Sequence, residues 1–258
     1  MIDTLHMALG GLSGALVGFT LGLVGGGGSI LAVPLMVYLV GVKSPHIAIG
    51  TSALAVAMNA AAGLVQHARR GTVKWRCGSL FAASGIVGAL AGSTLGKNFD
   101  GQKLLFLFAL VMVLVGVLML RGRNATGEPG VHLDRENAPR LLGFGLGTGA
   151  FSGFFGIGGG FLIVPGLVAS TRMPMINAVG TSLVAVTTFG LTTAANYALS
   201  GLVDWVLAGV FILGGLVGSL AGTVLAQKLS QGNALRTVFA LLIFFVAAYM
   251  MWKSWGAM

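Results

Sequence analysis

Apolar residues fill this chain in blocks of about twenty, the length a helix needs to cross a bilayer's hydrocarbon core. Short polar stretches separate the blocks. Read in order, they give a glycine-interrupted pair over about 4–42, then spans near 46–66, 77–96 and 103–121. A second interrupted pair follows over about 140–171, with spans near 176–197, 205–226 and 236–254. The pattern predicts an all-α polytopic membrane protein. The start, MIDTLHMALGG, carries no positive charge, so it reads as part of a first span, not as a cleaved signal peptide.

One block works against its own helix. Residues 22–34 read GLVGGGGSILAVP, and each glycine costs a helix interior roughly 1 kcal/mol against alanine. In lipid, backbone groups freed from a helix find no water, so such a break is tolerated where it lines a cavity. The stretch occurs twice. GFFGIGGGFLIVP at 153–165 matches it at seven of thirteen positions. The likeness extends outward. Gly14-Gly18-Gly22 is answered by Gly145-Gly149-Gly153, Gly50-Thr51-Ser52 by Gly180-Thr181-Ser182, and GIVGALAG at 85–92 by GLVGSLAG at 215–222. The chain is therefore expected to comprise two copies of one unit, 1–123 and 140–258, joined by a polar cytoplasmic linker at 124–139. Internal repeats in an apolar chain point to transporter architecture.

Charge indicates how the copies are related. If each glycine-broken pair is a hairpin that leaves on the side it entered, each unit crosses an odd number of times and the copies are inverted. Eleven of the fifteen Lys and Arg then lie on one side, among them Arg69, Arg70, Lys74 and Arg76; a parallel arrangement gives at best nine to six. Positive charge favours the cytoplasmic side. The expected fold is two inverted repeats, each a glycine-broken helical hairpin plus three spans, with both termini outside. Whether the broken pairs dip in or span fully does not alter this parity.

The breaks are candidate anion sites. A helix restarting at Gly28-Ser29 leaves N–H groups without intrahelical partners, at the positive end of its dipole. Gly25, Gly26, Gly27, Gly28 and Ser29 in the first copy, with Gly156, Gly158, Gly159 and Gly160 in the second, are the candidate substrate-binding positions, meeting near the midplane. Thr51, Ser52, Thr181 and Ser182 add hydroxyls about two turns into the following helices. Asn59 adds a deeper amide, for which a bond between helices is an equally good account. The glycine ladders, by contrast, need only close helix packing to explain them.

Composition narrows the chemistry. The chain is 56% hydrophobic, only 8% charged, and holds 43 glycines. Its net charge of +9 does not indicate nucleic acid, because the basic residues sit between spans. The one cysteine, Cys77, allows no intrachain disulfide. All six acids (Asp3, Asp100, Glu128, Asp134, Glu136 and Asp204) fall at ends or in loops, so the usual intramembrane carboxylate of a proton relay is missing. His67, at the start of the basic loop, reads as interfacial. No catalytic triad, metal cluster, phosphate loop or paired carboxylate is present, so neither an enzyme nor any cofactor or metal is expected. The expected partners are lipid and a small anion; association into a homo-oligomer stays open.

The doubled motif, Gly25-Gly26-Gly27-Gly28-Ser29 through Val33-Pro34 and Gly156-Ile157-Gly158-Gly159-Gly160 through Val164-Pro165, each followed by Gly-Thr-Ser, resembles that of the TauE/SafE sulfite exporters, the toluene-sulfonate uptake permease family. The first copy departs in having Ser29 where the second has Gly160. The resemblance implies a secondary transporter of the bacterial inner membrane that exports sulfite or an organosulfonate by alternating access. A passive anion channel, a permease for another anion, and a membrane assembly subunit with purely structural glycines are the alternatives.

Overall fold

The computed structural model describes residues 4–24, 29–121, 137–156, 160–229, 244 and 246–253. Among them there are helices and turns but no strand. The elements are α1 (Thr4–Val24), α2 (Ala32–Pro34, continuing as a π-turn over Leu35–Leu39), α3 (Pro45–Arg69), α4 (Trp75–Lys97), α5 (Gly101–Arg121), α6 (Ala138–Phe155), α7 (Gly160–Thr171), α8 (Met175–Ala198) and α9 (Trp205–Leu229). A further helical stretch covers 246–253. Five of these helices, α1, α3, α4, α8 and α9, are long and apolar enough to cross a membrane. Most of the expected last span, 236–254, and the linker lie outside the described residues.

Helix starts follow local chemistry. The Ser44 hydroxyl accepts from the Ile47 N–H at 3.4 Å, with Pro45 in the first turn of α3. The Asp100 carboxylate accepts from the N–H groups of Gln102 and Lys103, both at 3.0 Å, ahead of α5. Asp204 does the same for Leu207 at 3.0 Å in α9. Both described carboxylates are thus helix caps.

The glycine ladders set the architecture. Gly14 and Gly18 of α1 lie against the backbone of Phe211 and Gly215 of α9, while Gly214, Gly218 and Gly222 of α9 lie against Gly11, Ala15 and Phe19 of α1. Gly145, Gly149 and Gly153 of α6 meet Phe81, Gly85 and Ala89 of α4 in the same manner. In both pairs the numbers rise together, so the helices run parallel. A Cβ at these ladder positions would strike a carbonyl of the neighbouring helix, so glycine is what permits the approach. Outward from the ladders, Leu12, Leu16, Val87, Leu90, Leu146, Leu213 and Val217 are exposed, as befits faces covered by lipid.

These contacts cross between the halves. The first helix of each half packs on the helix that follows the central one in the other half: α1 on α9, which follows α8, and α6 on α4, which follows α3. At the centre, α3 packs on its counterpart α8. Gly50, near the start of α3, meets Tyr197 and Leu202 at the end of α8; Gly180, near the start of α8, meets His67 and Thr72 at the end of α3. The two central helices therefore run antiparallel.

Candidate functional site

Gly25–Gly28, Gly158 and Gly159 lie outside the described residues. Their neighbours are placed. Ser29 is fully buried at the start of a 3-10 turn, and Gly160 is buried where α7 begins. Gly156 ends α6 with φ 67°, a left-handed backbone that favours glycine, and a Cβ there would strike the Ile49 side chain. The second glycine-rich stretch thus abuts the helix that carries Gly50-Thr51-Ser52.

Both Gly-Thr-Ser motifs are buried, and each threonine fastens the halves together. Thr51 Oγ1 accepts from the Asp204 N–H at 3.0 Å, and Thr181 Oγ1 accepts from the Lys74 N–H at 2.9 Å. Each hydroxyl satisfies an N–H at the start of a helix in the other half. Ser52 and Ser182 donate to carbonyls three residues back, Ile49 at 3.1 Å and Val179 at 2.7 Å. The two motifs sit at opposite ends of the α3–α8 pair, so they do not converge on one point. Thr51→Val and Thr181→Val are each expected to lower stability by about 1 kcal/mol through an orphaned, part-buried N–H. The double variant should lose roughly the sum, since the sites are far apart. Unfolding in mixed detergent micelles measures both.

Asn59 stands apart. It is 2% exposed, and neither its Oδ1 nor its Nδ2 has a hydrogen-bond partner among the described residues. A buried amide left unpaired costs roughly 1–3 kcal/mol. Its side chain lies against Gly215, where a Cβ would collide with it. It lines a narrow cleft between α1, α3, α8 and α9 whose cavity volume is about 20 Å³, room for about one water molecule. Leu21, Asn59, Ala60 and Ser219 form the buried end; Gly63, Gln66 and His67 form the more open one. Asn59, Gly63, Gln66 and His67 share a face of α3 by helical spacing, so the cleft follows that helix for about 12 Å. Gly22, three residues before the first glycine run, also lines it. The groove therefore leads from the end of α3 beside the basic loop inward to Asn59 and Leu21.

His67 gives the mouth a defined polarity. The Thr72 hydroxyl donates to the His67 carbonyl at 3.0 Å, so at 2.9 Å it accepts from Nδ1–H. In the neutral ring Nε2 is then an acceptor. Arg69 and Arg70, beyond Ala68, are exposed. Among the described residues no carboxylate lines the cleft. Among the described residues of the predicted site, Asn59 alone lines it. Gln66 and His67 read as interfacial from sequence, although the 59/63/66/67 spacing was the signal that joins them to Asn59.

The family described as "Sulfite exporter TauE/SafE" matches residues 10–250. A protein of Xylella fastidiosa (strain 9a5c) named "Probable membrane transporter protein" is 52% identical over 264 residues, covering 100% of this chain and 98% of its own length. Bacillus subtilis "Probable membrane transporter protein YunE" is 26% identical, covering 84% of this chain and 87% of its own. The Arabidopsis thaliana "Sulfite exporter TauE/SafE family protein 5" is 34% identical over 134 residues, 51% of this chain and 29% of its own. No solved structure matches the chain significantly. With the doubled glycine motif, the helical bundle and a match along nearly its whole length, this chain belongs to the TauE/SafE family and is a membrane transporter.

Proposed function

We propose that the protein is a secondary transporter that exports a small sulfur-containing anion, sulfite or an organosulfonate, across a bacterial inner membrane. The observation that carries this reading is the buried Asn59 amide, without a partner among the described residues, at the inner end of a cleft that no described acid lines. An amide there donates to an oxyanion without bringing a buried counter-charge, which suits a ligand that must also leave. The family's name supplies the sulfur chemistry.

The two halves are read as inverted repeats. The antiparallel α3 and α8 support this, as do the parallel α1–α9 and α6–α4 pairs that exchange between halves. The glycine breaks, Gly25–Gly28 with Ser29 and Gly156 with Gly158–Gly160, are assigned to the substrate near the midplane, where half-helix ends meet anions in transporters of this kind. The groove ends beside Arg69 and Arg70, which positive-inside bias places in the cytoplasm, so an anion is loaded from there.

Thermal stability of the purified protein tests the substrate class. Sulfite, thiosulfate, sulfate, a two-carbon sulfonate and chloride are compared at matched ionic strength. A ligand at about a hundred times its Kd should stabilise the folded state by about 2.7 kcal/mol. The reading expects sulfite or the sulfonate to raise the midpoint and chloride not to. Stabilisation by chloride alone, or by none of the five, would overturn the sulfur assignment.

A further inference from the structure

Three reciprocal contacts define a pseudo-two-fold relation between the halves. Thr51 with Asp204 answers Thr181 with Lys74; Gly50 with Tyr197 answers Gly180 with His67; and Gly215 against Asn59 answers Gly85 against Phe189. Carried through the cleft, the relation puts Phe189 at the counterpart of Asn59, Thr193 at that of Gly63, Tyr197 at that of His67 and Ser152 at that of Leu21. The counterpart place is shut. Phe189 is fully buried and stacks on Phe81, with ring centroids 6.2 Å apart. Its outer end is bridged by Lys97, whose Nζ donates to the Asn196 carbonyl at 3.1 Å, to Asn196 Oδ1 at 2.9 Å and to the Ser200 hydroxyl at 2.9 Å.

The shut place is nonetheless polar. Five residues hold buried side-chain atoms without a partner among the described residues: Ser13, Asn59, Ser152, Thr193 and Tyr197. One lines the open cleft and three stand at the two-fold-related positions of its lining. Ser152, Thr193 and Tyr197 are each 0% exposed. A packed apolar plug does not account for three orphaned hydroxyls at those positions, because each costs free energy for as long as it stays dry.

We propose that these hydroxyls line a second passage, closed here by Phe189 and Lys97, that takes water and the same small oxyanion and opens to the opposite side of the membrane. This rests on the transporter reading with inverted repeats. The hydroxyls find their partners when the passage is wet, and the Asn59 cleft and the Phe189 passage are the two openings of one substrate path. Asn59 and Phe189 make the openings unequal: one keeps a polar anchor, the other an aromatic gate.

Sided labelling tests this. Cys77, the one cysteine in the chain, is replaced by Ala, and Gly63→Cys or Thr193→Cys is introduced. A membrane-impermeant sulfonate thiol reagent is applied to either face of oriented vesicles. Gly63→Cys should react from the basic-loop face. Thr193→Cys should react at least tenfold more slowly, and from the other face. Adding Phe189→Ala, or separately Lys97→Ala, should raise the Thr193→Cys rate at least tenfold, still from that other face. Size-exclusion profiles identify folded variants, and either gate variant suffices if the other does not fold. Unchanged Thr193→Cys labelling in a folded gate variant, or labelling of both cysteines from one face, overturns the proposal. The reagent reports access whichever anion is carried, so failure of the sulfur assignment and failure of this passage are separate results.

Discussion

Gly149→Leu should strongly destabilise the bundle, whereas Gly147→Leu, two residues earlier on the same helix, should be nearly silent. A Cβ at Gly149 would strike the backbone of Gly85 in α4, which has no flexible end to move aside. A Cβ at Gly147 meets nothing within 4 Å, and the position is exposed toward lipid. Forcing the larger side chain into the α4–α6 contact should cost about 3 kcal/mol, at the upper end of overpacking penalties, because the whole helix must shift. That is a large part of the total stability of an ordinary domain. At position 147 the change should be neutral, or stabilising by up to about 1 kcal/mol as glycine leaves a helix interior. The same contrast is expected in α9 between Gly218→Leu, which meets Ala15, and Gly209→Leu, which meets nothing. Yield of monodisperse protein and the unfolding midpoint check all four.

That contrast bounds what the sequence reveals. The ladder spacing announces close packing, and the duplication announces that it happens twice. Neither says that each ladder faces the other half. Gly147 and Gly149 look alike in sequence, and their neighbours alone separate them. Helix starts were legible where the cap is local, as at Ser44-Pro45. They were not legible where the cap comes from another segment, as with the hydroxyls of Thr51 and Thr181, whose donors lie more than a hundred residues away. Asn59 stood out as a deep polar residue. That it is unpartnered depends on Gly215 making room for it, and its relation to Phe189 emerges only when the halves are superposed through their contacts.

Asn59 is where stability and function should pull apart. Asn59→Leu keeps the side-chain length and removes two unpaired polar atoms, so the ligand-free protein should gain about 1–2 kcal/mol. The same change removes the donor assigned to the anion and should weaken apparent affinity about 10- to 100-fold, the equivalent of roughly 1.4–2.8 kcal/mol. Asn59→Asp keeps the shape and sets a negative charge against the anion. Two like charges about 4 Å apart repel by about 4 kcal/mol at an effective dielectric of 20, so transport should fall on the order of a thousandfold. A purely structural amide between helices predicts the reverse for Asn59→Leu, a loss of stability with little specific effect on flux.

The most direct test is therefore sulfite flux into proteoliposomes by the wild type, Asn59→Leu and Asn59→Asp, with unfolding midpoints measured on the same preparations. The account predicts saturable flux by the wild type, a raised KM in a more stable Asn59→Leu protein, and no measurable flux through folded Asn59→Asp. Equal flux through all three folded proteins, or a wild-type flux that does not saturate, would contradict it.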